Sequence, residues 1–307
     1  MTDRSAQFLE QLQDNVYVCD GAMGTMLHAR GLAFDRCFEE LNLSMPDAIQ
    51  EVHEAYMEAG AEILETNTFG ANVYRLSAYG LAEQCRDINL AGVHLARACA
   101  GDRALVAGAM GPLGMRIQPW SDCLPAEARS AFQEQARALA EGGVDLIVLE
   151  TFYDLGEICE AIAAVRAVCD LPVVAQVTIG NDGCMLSGER PQHFTSKLVE
   201  WGADAIGCNC SMGPEAMLET IQRMAAVTNV PLAAQPNAGL PVEMNGRKSY
   251  SCSPQDMAEF AVQFIRHGVR LVGGCCGTAP EHIRAIRKAV QEFEVVGQSH
   301  MEQVARP

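Results

Sequence analysis

From near residue 16 to near residue 290, short apolar or β-branched runs alternate with longer amphipathic stretches. The runs Val16–Cys19, Glu62–Glu65, Ala104–Ala107, Asp145–Leu149, Val173–Thr178, Ala205–Cys208, Leu232–Gln235 and Arg270–Gly273 have strand length and few breaks in their apolar character. Strands covered on both faces read this way. Between them, Pro46–Ala59, Pro125–Glu141, Leu155–Val168, Pro214–Val227, Pro254–His267 and Pro280–Phe293 place apolar positions at helical spacing. A leading proline in most of these suits a first helical turn. Strand followed by helix, eight times over, predicts an α/β fold with a parallel sheet.

A weak internal repeat sharpens that reading. Gly60-Ala61-Glu62-Ile63-Leu64, Gly143-Val144-Asp145-Leu146-Ile147, Gly202-Ala203-Asp204-Ala205-Ile206 and Gly268-Val269-Arg270-Leu271-Val272 share a glycine that leads into a strand. Glycine there suits a helix C-cap. Seven or eight positions beyond each glycine stand Asn67 and Thr68, Glu150 and Thr151, Asn209 and Cys210, and Cys275 and Cys276. Unusual residues thus recur at one structural level, which in a (β/α)8 TIM barrel is the carboxyl end of the strands, where active sites form. An open doubly wound sheet is the alternative. It calls for a Gly-rich phosphate loop after the first strand, and Asp20-Gly21-Ala22-Met23-Gly24-Thr25 fits that loop poorly. The expectation is therefore one barrel domain over residues 14–293, with an N-terminal extension at 1–13 and a polar tail at 294–307.

Charge narrows the partners. Lys and Arg number 22 against 39 Asp and Glu, a net charge of −17. That argues against binding nucleic acid or an anionic membrane face, since both select clustered basic residues. The N-terminal MTDRSAQFLEQL lacks the apolar core of a signal peptide, and no apolar run reaches the roughly 18 residues of a membrane span. A cytoplasmic location is expected. Thirteen cysteines spread over 307 residues do not form the even, dense framework of a small secreted scaffold. Most are expected to be reduced, packed as small hydrophobes.

A few thiols stand apart. Gly273-Gly274-Cys275-Cys276-Gly277 places two adjacent cysteines in a Gly-rich turn at the end of the eighth strand. The bland alternatives are two buried thiols or a strained vicinal disulfide. Gly207-Cys208-Asn209-Cys210, at the end of the sixth strand, offers a third thiol on the same rim from Cys208 or Cys210, and strand parity alone does not choose between them. Three thiolates with no fourth protein sulfur suit an open tetrahedral zinc whose last position goes to substrate. Asp20-Gly21-Ala22-Met23-Gly24-Thr25 could offer backbone N–H groups to a carboxylate, and Glu150 ends an otherwise apolar strand. An anion cradle, a carboxylate for an ammonium and a thiolate-rich zinc together describe a site for a small amino acid carrying a thiol.

These residues resemble the zinc-dependent homocysteine S-methyltransferases, among them the betaine– and S-methylmethionine–homocysteine methyltransferases and the homocysteine module of methionine synthase. The resemblance runs over about residues 14 to 293 and rests on Asp20–Thr25, Glu65-Thr66-Asn67-Thr68-Phe69, Leu149-Glu150-Thr151-Phe152, Gly207-Cys208-Asn209-Cys210 and Gly273–Gly277. Arg36-Cys37-Phe38-Glu39-Glu40-Leu41-Asn42 and Asn67–Asn72 look most like bacterial two-part proteins that join this module to a methylenetetrahydrofolate reductase. By resemblance the zinc ligands are Cys210, Cys275 and Cys276. Homocysteine's ammonium falls to Asp20 and Glu150 and its carboxylate to backbone N–H groups at Gly21, Ala22 and Met23. Thr66, Asn67, Thr68 and Asn209 line the site.

The implied reaction makes methionine. A free thiol is only a few per cent thiolate at neutral pH, and metal coordination deprotonates it. The donor is one of S-methylmethionine, S-adenosylmethionine, betaine, or a methyl-folate or methyl-corrinoid carried by a partner protein or domain. A cobalamin module of the Asp-x-His-x-x-Gly type is not expected, because His28-Ala29-Arg30-Gly31 has Met26 where Asp is required. Trp120 is the candidate for the donor side through cation–π contact. Two competing readings are methyl transfer to another thiol and a zinc–thiol redox sensor on a barrel scaffold. Asp20 and Glu150 would have no work in a sensor.

Overall fold

The computed structural model describes residues 2–119, 121, 123–244 and 247–304, with 241–249 and 296–304 described by backbone alone. Eight strands, β1 (Tyr17–Val18), β2 (Ile63–Glu65), β3 (Leu105–Met110), β4 (Leu146–Phe152), β5 (Val173–Val177), β6 (Ala205–Asn209), β7 (Leu232–Gln235) and β10 (Val269–Val272), form one parallel sheet. Its order is β1-β10-β7-β6-β5-β4-β3-β2. The ends of that sheet meet: Cys19 bridges Ile63, Glu62 N donates to Val18 O at 2.7 Å, and Asp20 N to Ile63 O at 3.0 Å. The sheet is thus a (β/α)8 barrel, and the open doubly wound alternative falls. Around it lie α1 (Asp3–Gln11), α2 (Met23–Ala29), α3 (Leu41–Ser44), α4 (Pro46–Ala59), α5 (Val73–Ser77) and α6 (Cys85–Ala100), then α7 (Pro125–Gly142), α8 (Leu155–Val168), α9 (Pro191–Glu200), α10 (Pro214–Ala225), α11 (Pro254–Arg266) and α12 (Pro280–Val304).

The repeat seen in the sequence has a structural meaning. Its four glycines, at 60, 143, 202 and 268, adopt φ between +86° and +97°, a conformation that costs an L side chain strain and glycine little. Two residues later, the acidic side chains tie neighbouring strands together at the amino end of the barrel. Glu62 accepts from Val18 N (3.0 Å), Asp145 from Val106 N (2.8 Å) and Asp204 from Val173 N (2.8 Å). Each also meets an arginine: Arg287 at 2.9 Å, Arg97 at 2.7 Å and Arg166 at 2.6 Å respectively.

Strand alternation divides the interior into two levels. Ile63, Ala107, Leu146, Val148, Val174, Ala205, Ala233 and Leu271 make an apolar lower level, closed from below by Phe8 and Leu12 of the first turns of the chain. The expected N-terminal extension is therefore packed against the barrel, with Ser5 Oγ donating to Asp145 O at 2.7 Å. Two positions further along the strands the same inward face turns polar, at Glu65, Glu150, Gln176 and Gln235. The outward faces carry Val106, Ile147, Leu149, Val173, Val177, Ile206 and Val272 into the larger core shared with the helices. Such burial, at roughly 25 cal/mol per Å² of apolar surface, dominates the stability of the fold.

Two features depart from the sequence reading. An antiparallel hairpin, β8 (Pro241–Met244) paired with β9 (Arg247–Tyr250), interrupts the connection from β7 to α11. The last helix continues to Val304 instead of ending at Phe293, into the stretch expected to be a polar tail. No helix among the described residues is long and apolar enough to cross a membrane.

Candidate active site

At the carboxyl end of the strands, a cavity of about 300 Å³ is lined by residues from six strand ends, including Asp20, Gly21, Ala22, Met23, Glu65, Thr66, Asn67, Glu150, Asn209, Cys210, Gln235, Cys275 and Cys276. The thiols of Cys210, Cys275 and Cys276 lie within 4.8 Å of one another, with Cys210 Sγ and Cys276 Sγ 3.8 Å apart. All thirteen cysteines are free thiols, so no vicinal disulfide occupies the turn. Hydrogen bonding with the Cys210 and Cys275 thiols pushes the Cys276 pKa far down, to about 3, while the Cys210 and Cys276 thiols, and then burial, push Cys275 up. Three converging soft donors of this kind fit zinc, and they leave a tetrahedral position free for a guest. The same neighbourhood holds an unpaired oxygen: Asn237 Oδ1 is buried without a partner, in a segment whose Pro236 O accepts from Cys275 N (2.8 Å) and whose Ala238 N donates to Cys276 O (3.0 Å).

The choice between Cys208 and Cys210 is made by the backbone. Cys208 is fully buried on the outward face, its sulfur 3.7 Å from Met224 Sδ on α10, and burial pushes its pKa up. Regular alternation would send Cys210 the same way. Instead Cys210 and Ser211 adopt φ of 58° and 56°, a left-handed turn that a non-glycine residue enters at a cost of about 1–3 kcal/mol. That turn brings the Cys210 thiol to the other two. Thr151, at φ 61°, makes a matching irregularity beside Glu150.

Four carboxyl groups line the cavity with the thiols: Glu39, both of whose oxygens accept from the protein, at Gly70 N (2.7 Å) and the Cys37 thiol (3.4 Å), and Asp20, Glu65 and Glu150; among the described residues none of the lining is Lys, Arg or His. Burial first, and then the charge of Glu65, push both Asp20 and Glu150 well above the usual carboxylate range. Asn209 fixes Glu150: its Nδ2 donates to Glu150 Oε2 at 3.1 Å, while its Oδ1 accepts from Thr151 N at 2.7 Å. Burial and mutual repulsion disfavour the charged form of these carboxyls, and a cation seated among them would reverse that, so the cavity favours cationic groups.

The other expected site residues divide by position. Gly21, Ala22 and Met23 line the cavity, and the Ala22 N–H is already donated to Thr278 Oγ1 at 3.2 Å. Thr66 and Asn67 also line it, whereas Thr68 is fully buried and donates its hydroxyl to Ala109 O at 2.8 Å. Trp120 lies outside the described residues. Two residues were not singled out in the sequence. Glu65 ends β2 as Glu150 interrupts β4, and a charged residue closing an apolar run is the signal both share. Tyr250, at the end of the hairpin, presses its ring on the cysteine turn: a Cβ on Gly277 would fall 2.1 Å from the ring carbon Cγ. Burial, and then the negative charge of Cys276, Cys210 and Cys275, push the Tyr250 hydroxyl up to about 12.

The parallel barrel thus gathers at its mouth a thiol triad that could hold a soft metal ion and, beside it, a group of buried carboxyls. The chain belongs to the homocysteine S-methyltransferase family, whose sequence profile matches residues 17–290. A methionine synthase of Mycobacterium tuberculosis is 38% identical over 304 residues, covering 93% of this chain and 25% of that protein. The corresponding protein of Mycobacterium leprae is 36% identical over 300 residues, covering 92% and 25%. The chain thus spans about a quarter of the length of these relatives. Among solved structures, the homocysteine methyltransferase MmuM of Escherichia coli in its metallated form superposes with a TM-score of 0.79 at 25% identity, covering 93% of this chain and 99% of that one. A methyltransferase from Methanosarcina mazei, 14% identical with a TM-score of 0.63 over 95% and 99% of the two chains, shares the fold.

Proposed function

We propose that this protein transfers a methyl group to the sulfur of homocysteine, giving methionine, with a zinc ion held by Cys210, Cys275 and Cys276. The observation that carries the proposal is the meeting of those three thiols, within 4.8 Å of one another, in a cavity that also holds Asp20 and Glu150. Bound zinc would keep the substrate sulfur as a thiolate, the nucleophilic form. The protein's own residues supply the rest. Asp20 and Glu150 take the substrate ammonium, and Asn209 holds the Glu150 carboxylate in place for it. Backbone N–H groups at Gly21 and Met23 face the substrate carboxylate. Met23, Phe34, Phe38 and Phe69 make the cavity's apolar wall, which limits water around the reacting sulfur and strengthens every charge interaction inside. Held in this way, thiolate and donor meet with much of their entropy already spent, worth up to ~7 to 11 kcal/mol in well-oriented reactions.

The donor reaches the sulfur from above the mouth, as a small sulfonium or ammonium compound or as a methyl-folate or methyl-corrinoid on another protein or domain. The length of the methionine synthase relatives supports the second route. Reduced thiols throughout the chain suit a cytoplasmic setting.

The test incubates reduced, zinc-loaded protein with homocysteine and each donor in turn and assays methionine. Methionine from at least one donor is expected, together with one zinc per chain that Cys275→Ala abolishes. Full zinc occupancy and full turnover in that variant would overturn the proposal. Zinc binding without methionine from any donor would favour a different thiol acceptor or a redox sensor.

A further inference from the structure

The sequence and the family resemblance assign two carboxyl groups to the substrate ammonium. The cavity lining contains four, of which Glu39 has both oxygens engaged by Gly70 N and the Cys37 thiol. Glu65, at the end of β2, lines the same space as Asp20 and Glu150, and each of the three commits one oxygen to the protein. Asp20 Oδ2 accepts from Glu65 N at 3.0 Å, Glu65 Oε1 from Gln235 Nε2 at 2.7 Å, and Glu150 Oε2 from Asn209 Nδ2 at 3.1 Å. Among the described residues nothing donates to the remaining oxygens, Asp20 Oδ1, Glu65 Oε2 and Glu150 Oε1. An ammonium group carries three N–H donors.

We propose that Glu65 is a substrate-recognition residue that completes a three-carboxyl cradle for the ammonium group of an α-amino thiol, and so selects homocysteine over thiols that lack the amine. This deepens the reading above and rests on it. Glu65 has the central place in the trio. After burial, its charge is the leading reason that both other carboxyls are pushed up, so a cation seated between them relieves repulsion on two sides. Its orientation is fixed from across the barrel: Gln176 Nε2 donates to Gln235 Oε1 at 2.5 Å, and Gln235 Nε2 in turn to Glu65. That chain aligns two amide dipoles on one carboxylate, and Gln176 and Gln235 are both buried. A residue placed only for packing would not be anchored by buried amides drawn from β5 and β7.

Glu65→Gln tests this, because it keeps an oxygen to accept from Gln235 and removes the charge. Binding to zinc-loaded protein is measured by calorimetry with two probes, homocysteine and 4-mercaptobutyrate, which has the thiol and carboxylate without the amine. The expected loss for homocysteine is about 10- to 100-fold, the range for a hydrogen bond to a charged group, with little change for 4-mercaptobutyrate. Glu65→Asp, which keeps the charge on a shorter arm, should retain most of the preference for homocysteine. It also serves as the test if the glutamine variant does not fold. Equal losses for both probes, or none, overturn the inference. A wild-type protein that binds homocysteine but makes no methionine leaves Glu65 standing and removes the proposed reaction. A wild-type protein that binds neither thiol removes both.

Discussion

The two ends of this barrel use the same acidic side chains for opposite purposes. At the amino end, Glu62, Asp145 and Asp204 each accept a backbone N–H from a neighbouring strand and each meet an arginine within 2.9 Å. Their charges are spent on holding strands in register. At the carboxyl end, Asp20, Glu65 and Glu150 are anchored by N–H and O–H donors, and among the described residues no basic side chain lines their cavity. The difference is the partner: a carboxylate with an arginine is structural, and one buried without a cation waits for a guest to supply it. Barrels of this class generally keep stability at one end and chemistry at the other, and here the location of the arginines marks which end is which.

That contrast can be broken from either side. The largest effect is expected at the thiols: Cys275→Ala should lower methyl transfer by more than about 100-fold, beyond what loss of a supporting contact to a metal ligand costs. Its unfolding midpoint should move little, since the triad sits above the core, and chelation of the metal should act in the same way. At the opposite end, Asp145→Ala should cost about 3 kcal/mol in urea unfolding, because it strips Val106 N of its acceptor and Arg97 of its partner. Turnover per folded molecule should be unchanged. Back at the mouth, Asp20→Asn should raise the KM for homocysteine about 10-fold or more while kcat changes less, the mark of a binding contact.

The smallest effect lies between the two ends. His53 on α4 is fully buried with neither ring nitrogen paired, and burial lowers its pKa to about 4. Below pH 6.5 the unfolded chain takes up a proton there that the folded chain refuses until about pH 4, so its presence erodes stability as pH falls through that window. His53→Leu should flatten this limb of the stability curve by roughly 1–3 kcal/mol. An unchanged slope in unfolding measured from pH 7 to pH 4 would refute it.

Much of this was legible in the sequence, for physical reasons. All eight strands appear where the apolar runs stand, since a strand buried on both faces leaves little room for polar residues. The Gly-x-acid repeat could be seen as a helix cap, although the carboxylate's bond to the next strand needed the fold. Cys275 and Cys276 stand out because adjacent thiols are rare companions in a core. Cys210 did not separate from Cys208, because a periodicity of two treats them alike and only the left-handed turn at 210–211 distinguishes them. Glu65 carried the same signal as Glu150. Its importance rests on Gln176 and Gln235, distant in sequence and brought to it by barrel closure. Tyr250 depends on a hairpin inside a connection that no strand or helix pattern announced.

The helix that stops the lower end sets the traffic through the upper one. With Phe8 and Leu12 filling the floor of the barrel, the cavity is closed at its lower end, and among the described residues it opens toward the carboxyl ends of the strands. Whatever seats deepest must arrive first and depart last. An amino acid bound against the carboxyls and thiols would therefore be covered by its methyl donor, and its product could leave only after the spent donor had moved away. In the proposed reaction the order of binding and release would be set by a helix that touches neither reactant.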